Sequence, residues 1–189
     1  STDEIFGVAP PGVSYNEYDR YNSTNPYSAS KAAGEEFCVA YENTYKMPMY
    51  ITHTMNVFGQ RQHPEKFIPG TIQRVRDGDK VTIHADSSKT QAGSRMYIHA
   101  SDVADGILVS YDNKITEPIN LGSGEGNSIR QLVETILFTY GKDVSVVWDS
   151  TKPNGDPIRL MDTTRATNYG FSPKITLHEG IKEIMEYLV

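Results

Sequence analysis

Tyr27 and Lys31 stand four residues apart in a stretch whose apolar residues recur at helical spacing. Positions i and i+4 share a helix face, so the ammonium lies near the phenol. A phenol ordinarily titrates near pH ~10 and is a poor base at neutral pH. An adjacent cation favours its ionised form. Such a pair suits removal of a proton from an alcohol while hydride leaves to a nicotinamide. The spacing alone recurs by chance, so the surrounding residues must supply the specificity. Close to the start, Thr2 precedes two adjacent carboxyls, Asp3 and Glu4. Adjacent carboxyls in different environments can divide acid and base work between them.

Other reactive side chains carry less. His53, His63, His84, His99 and His178 show no helical or short-loop ligand spacing, so no metal site is expected. Cys38 falls in mid-helix and reads as packing.

Local sequence signals predict the elements that must position these groups. Residues 8–26 form a long polar loop rich in Pro, Gly, Asn and Tyr. Asn25 as N-cap and Pro26 as first helical residue open a helix to about Lys46. Met49 to Thr54 reads as a buried strand ending near Asn56-Val57-Phe58-Gly59. A short helix spans about Phe67 to Asp77, and Val81–His84 and Arg95–His99 read as strands. Ser101 is a candidate cap for a helix to about Tyr111. Pro118 to Leu121 is a strand entering Gly122-Ser123-Gly124-Glu125-Gly126, and Val144–Trp148 is another. Capping boxes at Ser128/Gln131 and Thr176/Glu179 open helices at 129–140 and 177–188. Strands alternating with helices predict an α/β protein with a mainly parallel sheet.

Composition narrows the class. The 189 residues are 38% hydrophobic, 22% charged and 10% aromatic, an ordinary globular profile. No apolar run approaches the ~20 residues of a membrane helix, so no membrane partner is expected. One cysteine excludes an internal disulfide framework and suits a reducing cytoplasm. Net charge is −6 without a basic block, which argues against a nucleic-acid surface. The chain opens on Ser1 with neither an initiator methionine nor an apolar leader, and is expected to be a piece that begins inside a fold.

Ser1-Thr2-Asp3-Glu4-Ile5-Phe6-Gly7 followed by Asn25-Pro26-Tyr27-Ser28-Ala29-Ser30-Lys31 resembles the extended short-chain dehydrogenase/reductase superfamily. Within it, the nucleotide-sugar 4,6-dehydratases of the dTDP-glucose or UDP-glucose type are most similar. Asn56-Val57-Phe58-Gly59, Pro64-Glu65-Lys66-Phe67-Ile68-Pro69, Arg95 to Ala104 and Ile119-Asn120-Leu121-Gly122 follow in the family's order. The likeness spans nearly all of the chain.

The resemblance implies NAD as cofactor and a redox-neutral dehydration of a nucleotide-activated hexose. Tyr27 would take the C4 hydroxyl proton, and Lys31 would hold the cofactor ribose. Glu4 would be the base at C5, Asp3 the acid at the departing C6 hydroxyl, and Thr2 a hydrogen-bond partner of the C4 oxygen. Val57 would offer backbone to the nicotinamide side. Asn56, Lys66, Phe67, Arg95, Asn120 and Arg159 would contact the nucleotide sugar, with Arg95 on the pyrophosphate. The resemblance also implies a homodimer built on the Tyr27 helix.

The implied architecture is the latter part of a Rossmann-type doubly wound sheet interleaved with a small substrate domain. Residues 1–59 and 95–121 are assigned to the former, and 60–94 and 122–189 to the latter. Some positions depart from the pattern. His53 stands where relatives often have Arg or Asn, and Gln60 replaces a common Pro. Lys152 to Pro157 and Asp162 to Arg165 are similar to GDP-fucose synthases and related epimerases. The family's glycine-rich phosphate loop does not occur in these 189 residues, and Gly122 to Gly126 has the wrong spacing for it. The piece alone is therefore expected to be inactive. An epimerase or reductase on the same substrates, or a non-catalytic nucleotide-sugar-binding remnant, remains as an alternative.

Overall fold

The computed structural model describes residues 1–10, 12–85, 93–151 and 160–188. Arg159 lies outside the described residues, as does most of the loop predicted at 149–160.

A 3₁₀ turn at Asp3–Phe6 leads through the polar loop to α1 (Pro26–Tyr45). There follow β1 (Thr52–Thr54), β2 (Asn56–Phe58), α2 (Phe67–Asp77), β3 (Val81–His84), β4 (Ser94–His99) and α3 (Ala100–Asp112). The chain continues with β5 (Ile119–Leu121), β6 (Gly126–Ser128), α4 (Ile129–Tyr140), β7 (Val146–Asp149), α5 (Thr164–Asn168) and α6 (Leu177–Leu188). This is the expected α/β class. β1 pairs with β5, β2 with β4 and β3 with β7, all in parallel; β6 alone runs antiparallel, against β4. Thr2 extends the first sheet by a parallel bridge to Thr54.

The helix starts form where their local chemistry dictates. The Asn25 side chain accepts from Ser28 N while Ser28 Oγ accepts from Asn25 N, and Pro26 follows as the first helical residue. Ser128 and Gln131 make the same reciprocal pair at α4. Thr176 N donates to Glu179 Oε2 at 2.9 Å, and Glu179 N donates back to Thr176 Oγ1 at 3.2 Å.

Three predictions need correction. Ser101 is not the cap of α3: His99 is, its Nδ1 accepting from Ser101 N at 3.3 Å. The strand predicted over Met49–Thr54 is shorter, Thr52–Thr54, and where it was expected to end, after Met55, a second strand at Asn56–Phe58 joins a different sheet. The turn after Leu121 yields a further strand, β6, whose Asn127 lies opposite Arg95.

Burial divides into three cores. Phe58, Ile72, Val81, Leu132, Ile136 and Ile181 anchor one between α2, α4, α6 and their strands. Ile98, Ile119, Leu121 and Phe171 form a second against α3 and α5. Ile5, Phe6, Met55, Met96 and Met161 form the third. Gly180 lets α6 sit hard against the sheet: a Cβ there would come within 2.5 Å of the Phe58 ring.

Candidate active site

The partner change at Met55 leaves a cleft of about 690 Å³, walled by the 3₁₀ turn, the start of α1, β1–β2, the start of α2 and β4. Thr2, Asp3, Glu4 and Tyr27 line one part of it; Asn56, Val57, Lys66, Phe67 and Arg95 line the rest. Nine residues singled out from the sequence therefore face one space.

The 3₁₀ turn fixes the carboxyls. Thr2 caps it, its Oγ1 accepting from Glu4 N at 3.3 Å and donating to Asp3 Oδ1 at 3.2 Å. Asp3 is buried, whereas Glu4 is half-buried and accepts from Asn25 Nδ2 at 3.1 Å. The amide that caps α1 thus also steadies the carboxyl beside Tyr27. The two carboxyls, adjacent in sequence, occupy different surroundings.

Tyr27 is 55% exposed, in the first turn of α1. Lys31 lies one turn on, half-buried, on the same helix face.

At the far side the site is cationic. A second hollow of about 430 Å³ shares Lys66, Phe67, Arg95 and Ile129 with the cleft and adds Arg74, Thr82 and His84. The N-terminus of α2 opens here with no side-chain cap, so backbone N–H groups and the positive end of the helix dipole are presented to it. Anions are favoured by such a surface. The Tyr97 phenol in the cleft is pushed up to about 12 by burial, against the opposing pull of Arg95, and so keeps its proton. Gln62 Nε2 donates to Val57 O at 2.8 Å, which occupies the carbonyl of Val57 from within the protein.

Asn120 is not at the cleft. It is 0% exposed, and its Nδ2 donates to Tyr15 O at 3.1 Å and Asp162 O at 3.0 Å. Its side chain serves the interior, so the expected substrate contact is corrected to a structural one. Reasoning from sequence missed Arg74, His84 and Tyr97. The amphipathic period of α2 places Arg74 one turn beyond Gly70, which also lines the hollow, and was the available signal. His84 and Tyr97 reach the site through strand pairing, which local sequence does not encode.

Known proteins match nearly the whole of this chain. A family model described as GDP-mannose 4,6 dehydratase matches residues 1–184. The human protein named dTDP-D-glucose 4,6-dehydratase is 32% identical over 195 residues, covering 99% of this chain and 54% of that one. The crystal structure of dTDP-glucose 4,6-dehydratase from Bacillus anthracis in complex with NAD superposes with a TM-score of 0.86 at 26% identity, over 100% of this chain and 59% of that one. The UDP-glucose 4-epimerase of Thermus thermophilus, also in complex with NAD, superposes with a TM-score of 0.90 at 26% identity, over 99% and 61%. The chain spans little more than half the length of these proteins.

Proposed function

The chain belongs to the GDP-mannose 4,6 dehydratase family, and from that membership we propose that it carries the acid–base and sugar-binding part of an NAD-dependent nucleotide-sugar 4,6-dehydratase. The reaction converts an NDP-hexose to an NDP-4-keto-6-deoxyhexose. The observation that carries this reading is the adjacency of Asp3 and Glu4 on the same cleft wall as Tyr27, opposite Lys66 and Arg95. A nucleotide sugar has a neutral, reacting end and a doubly anionic middle, and the cleft offers those two chemistries at its two sides.

The residues present fit the nicotinamide end of a dinucleotide: Tyr27 is exposed at the mouth, Lys31 is one turn away, and Val57 lines the wall between. NAD supplies reversible hydride storage when bound. Tyr27 takes the proton of the C4 hydroxyl, with Lys31 steadying the charge that develops. Thr2 holds the C4 oxygen by turning its hydroxyl proton from Asp3 Oδ1 to the substrate. A C5 proton beside a C4 ketone is acidic, and Glu4 removes it; the Asn25 amide suits a carboxylate in that role. Asp3, shielded from solvent, delivers a proton to the C6 hydroxyl as water leaves; with the dinucleotide bound, the stored hydride would return to C6 and Glu4 would give its proton back to C5. Asn56 meets the sugar, Phe67 lines the channel, and the Lys66 and Arg95 side chains with the α2 N-terminus neutralise the pyrophosphate. Residues 1–59 with 95–121 form the cofactor-binding part, from which Asn56 and Arg95 reach the substrate, and 60–94 with 122–189 form the substrate-binding part.

Phe37, Tyr41 and Tyr45 are exposed at successive i, i+4 positions along one face of α1, which supports a homodimer through that helix. Among the described residues no helix is long and apolar enough to cross a membrane. One half-buried cysteine suits a cytoplasmic setting.

The test uses the full-length protein with NAD and a panel of dTDP-, UDP-, GDP- and CDP-hexoses, followed by product mass. Loss of one water from one substrate supports the dehydratase and names its nucleotide. A mass-neutral change of configuration moves the assignment to an epimerase, and no change with any substrate moves it to a binding remnant. Glu4→Gln should abolish dehydration while C4 oxidation survives.

A further inference from the structure

Behind the cleft, a chain of polar side chains crosses the interior from α1 to β5. The Tyr21 hydroxyl donates to Glu35 Oε2, and the same oxygen lies 3.1 Å from His53 Nε2. On the other side of the ring, His53 Nδ1 lies 2.8 Å from Asn120 Oδ1. His53 is 0% exposed, and the Phe6 ring meets it edge-on at 5.2 Å.

The proton count of this chain follows from Asn120. Both hydrogens of its amide nitrogen go to the backbone carbonyls of Tyr15 and Asp162, which settles which end of the amide is oxygen. Its Oδ1 can only accept, so His53 Nδ1 must donate. Nε2 faces a carboxylate oxygen that already accepts from Tyr21. With Glu35 ionised, as its lowered carboxyl requires, a ring protonated on Nδ1 alone would set a lone pair against that oxygen, deep in the protein, where an unmade bond is costly.

We propose that His53 is an imidazolium, protonated on both nitrogens at neutral pH and paired with the Glu35 carboxylate, and that this pair is the positioning element for the helix that bears Tyr27 and Lys31. Glu35 is one turn from Lys31 and two from Tyr27 on a common face of α1. His53 sits on β1, which pairs with β5 through Asn120. The ion pair therefore pins the helix to the centre of the sheet.

The surrounding charges agree. Burial alone would push the Glu35 carboxyl up, but the hydrogen bonds from His53 and Tyr21 to Oε2 and the charge of His53 outweigh it and hold the carboxyl below its usual range, while Oε1 is buried with no hydrogen-bond partner among the described residues. Burial, then the Glu35 bond and the charges of Glu35 and Glu36, push the Tyr21 phenol up, so it remains a donor. Beyond Asn120, Glu17 Oε1 accepts from its backbone N at 2.8 Å, and Glu17 Oε2 lies 3.8 Å from Arg165 Nε.

The positioning role rests on the reading of Tyr27 and Lys31 given above; the proton count does not. The first test is a long-range nitrogen spectrum of the histidine rings in the ¹⁵N-labelled full-length protein at about pH 7.5, where an unperturbed histidine is mostly neutral. Both ring nitrogens of His53 should be protonated, and a singly protonated ring overturns the assignment. In Glu35→Gln the new amide can donate to Nε2 and removes the counter-charge, so the ring should lose its second proton; a ring still doubly protonated also overturns it. In the full-length enzyme the same variant should lower kcat about tenfold with KM within about twofold. An unchanged kcat removes the positioning role. A protein that turns over no nucleotide sugar sinks the dehydratase reading alone and leaves the ring spectrum to decide the ion pair.

Discussion

Around the cleft, Tyr27 is more than half exposed, and the N-terminus of α2 has no side-chain cap. Along the buried chain from Tyr21 to Asn120, the backbone carbonyls of Tyr15 and Asp162 take the Asn120 amide, and the His53 ring bridges two side chains without exposed surface. Both regions gather ionisable groups within reach of α1, but they handle them oppositely. In the cleft, hydrogen-bonding capacity is turned outward, where a ligand can use it. In the interior, it is spent on the protein, and the return is a fixed helix position. Polar residues near a reaction centre therefore divide by what they touch, and resemblance of sequence does not tell the two kinds apart.

The largest effect expected from this contrast is at Tyr27. In the full-length enzyme, Tyr27→Phe should lower turnover by about 10²–10⁴-fold, the usual worth of a general base. The urea midpoint of the chain should stay unchanged because the hydroxyl is exposed. A destabilised but active variant would invert the comparison.

His53→Leu should show the reverse pattern. It strands the Glu35 carboxylate in the interior, and breaking a buried ion pair from one side costs about 3–5 kcal/mol. Urea denaturation reads the loss directly.

A smaller effect follows from acid. The folded-state Glu35 carboxyl is depressed, so its contribution to stability is complete above the ordinary carboxylate range and is lost as pH falls through the folded value. Denaturation midpoints taken from about pH 5 to about pH 3 should fall in the parent and fall less in Glu35→Gln. Parallel curves would remove Glu35 from the acid response.

The smallest effect lies away from both regions. Thr176→Ala removes one half of the α6 capping box and should cost about 1 kcal/mol without altering turnover.

What was legible in the sequence is what local chemistry decides. Asn25-Pro26, Ser128 with Gln131 and Thr176 with Glu179 mark helix starts by bonds made within four residues, and each helix begins there. Ser101 misled because the residue two before it, His99, can cap equally well with a ring nitrogen. The division at Met55 was hidden, since partners for β1 and β2 come from residues 119–121 and 94–99, far along the chain. Motif resemblance gathered nine cleft residues correctly in space. It misplaced Asn120, whose neighbours Tyr15 and Asp162 meet only in the folded protein.

The strand that changes partners at Met55 also has a consequence for chain length. Thr52 to Thr54 are in register with one sheet and Asn56 to Phe58 with another, so the loss or gain of a single residue between them would force one of the two strands out of register and turn its side chains to the wrong face. Over these seven positions, length is held by two sheets at once.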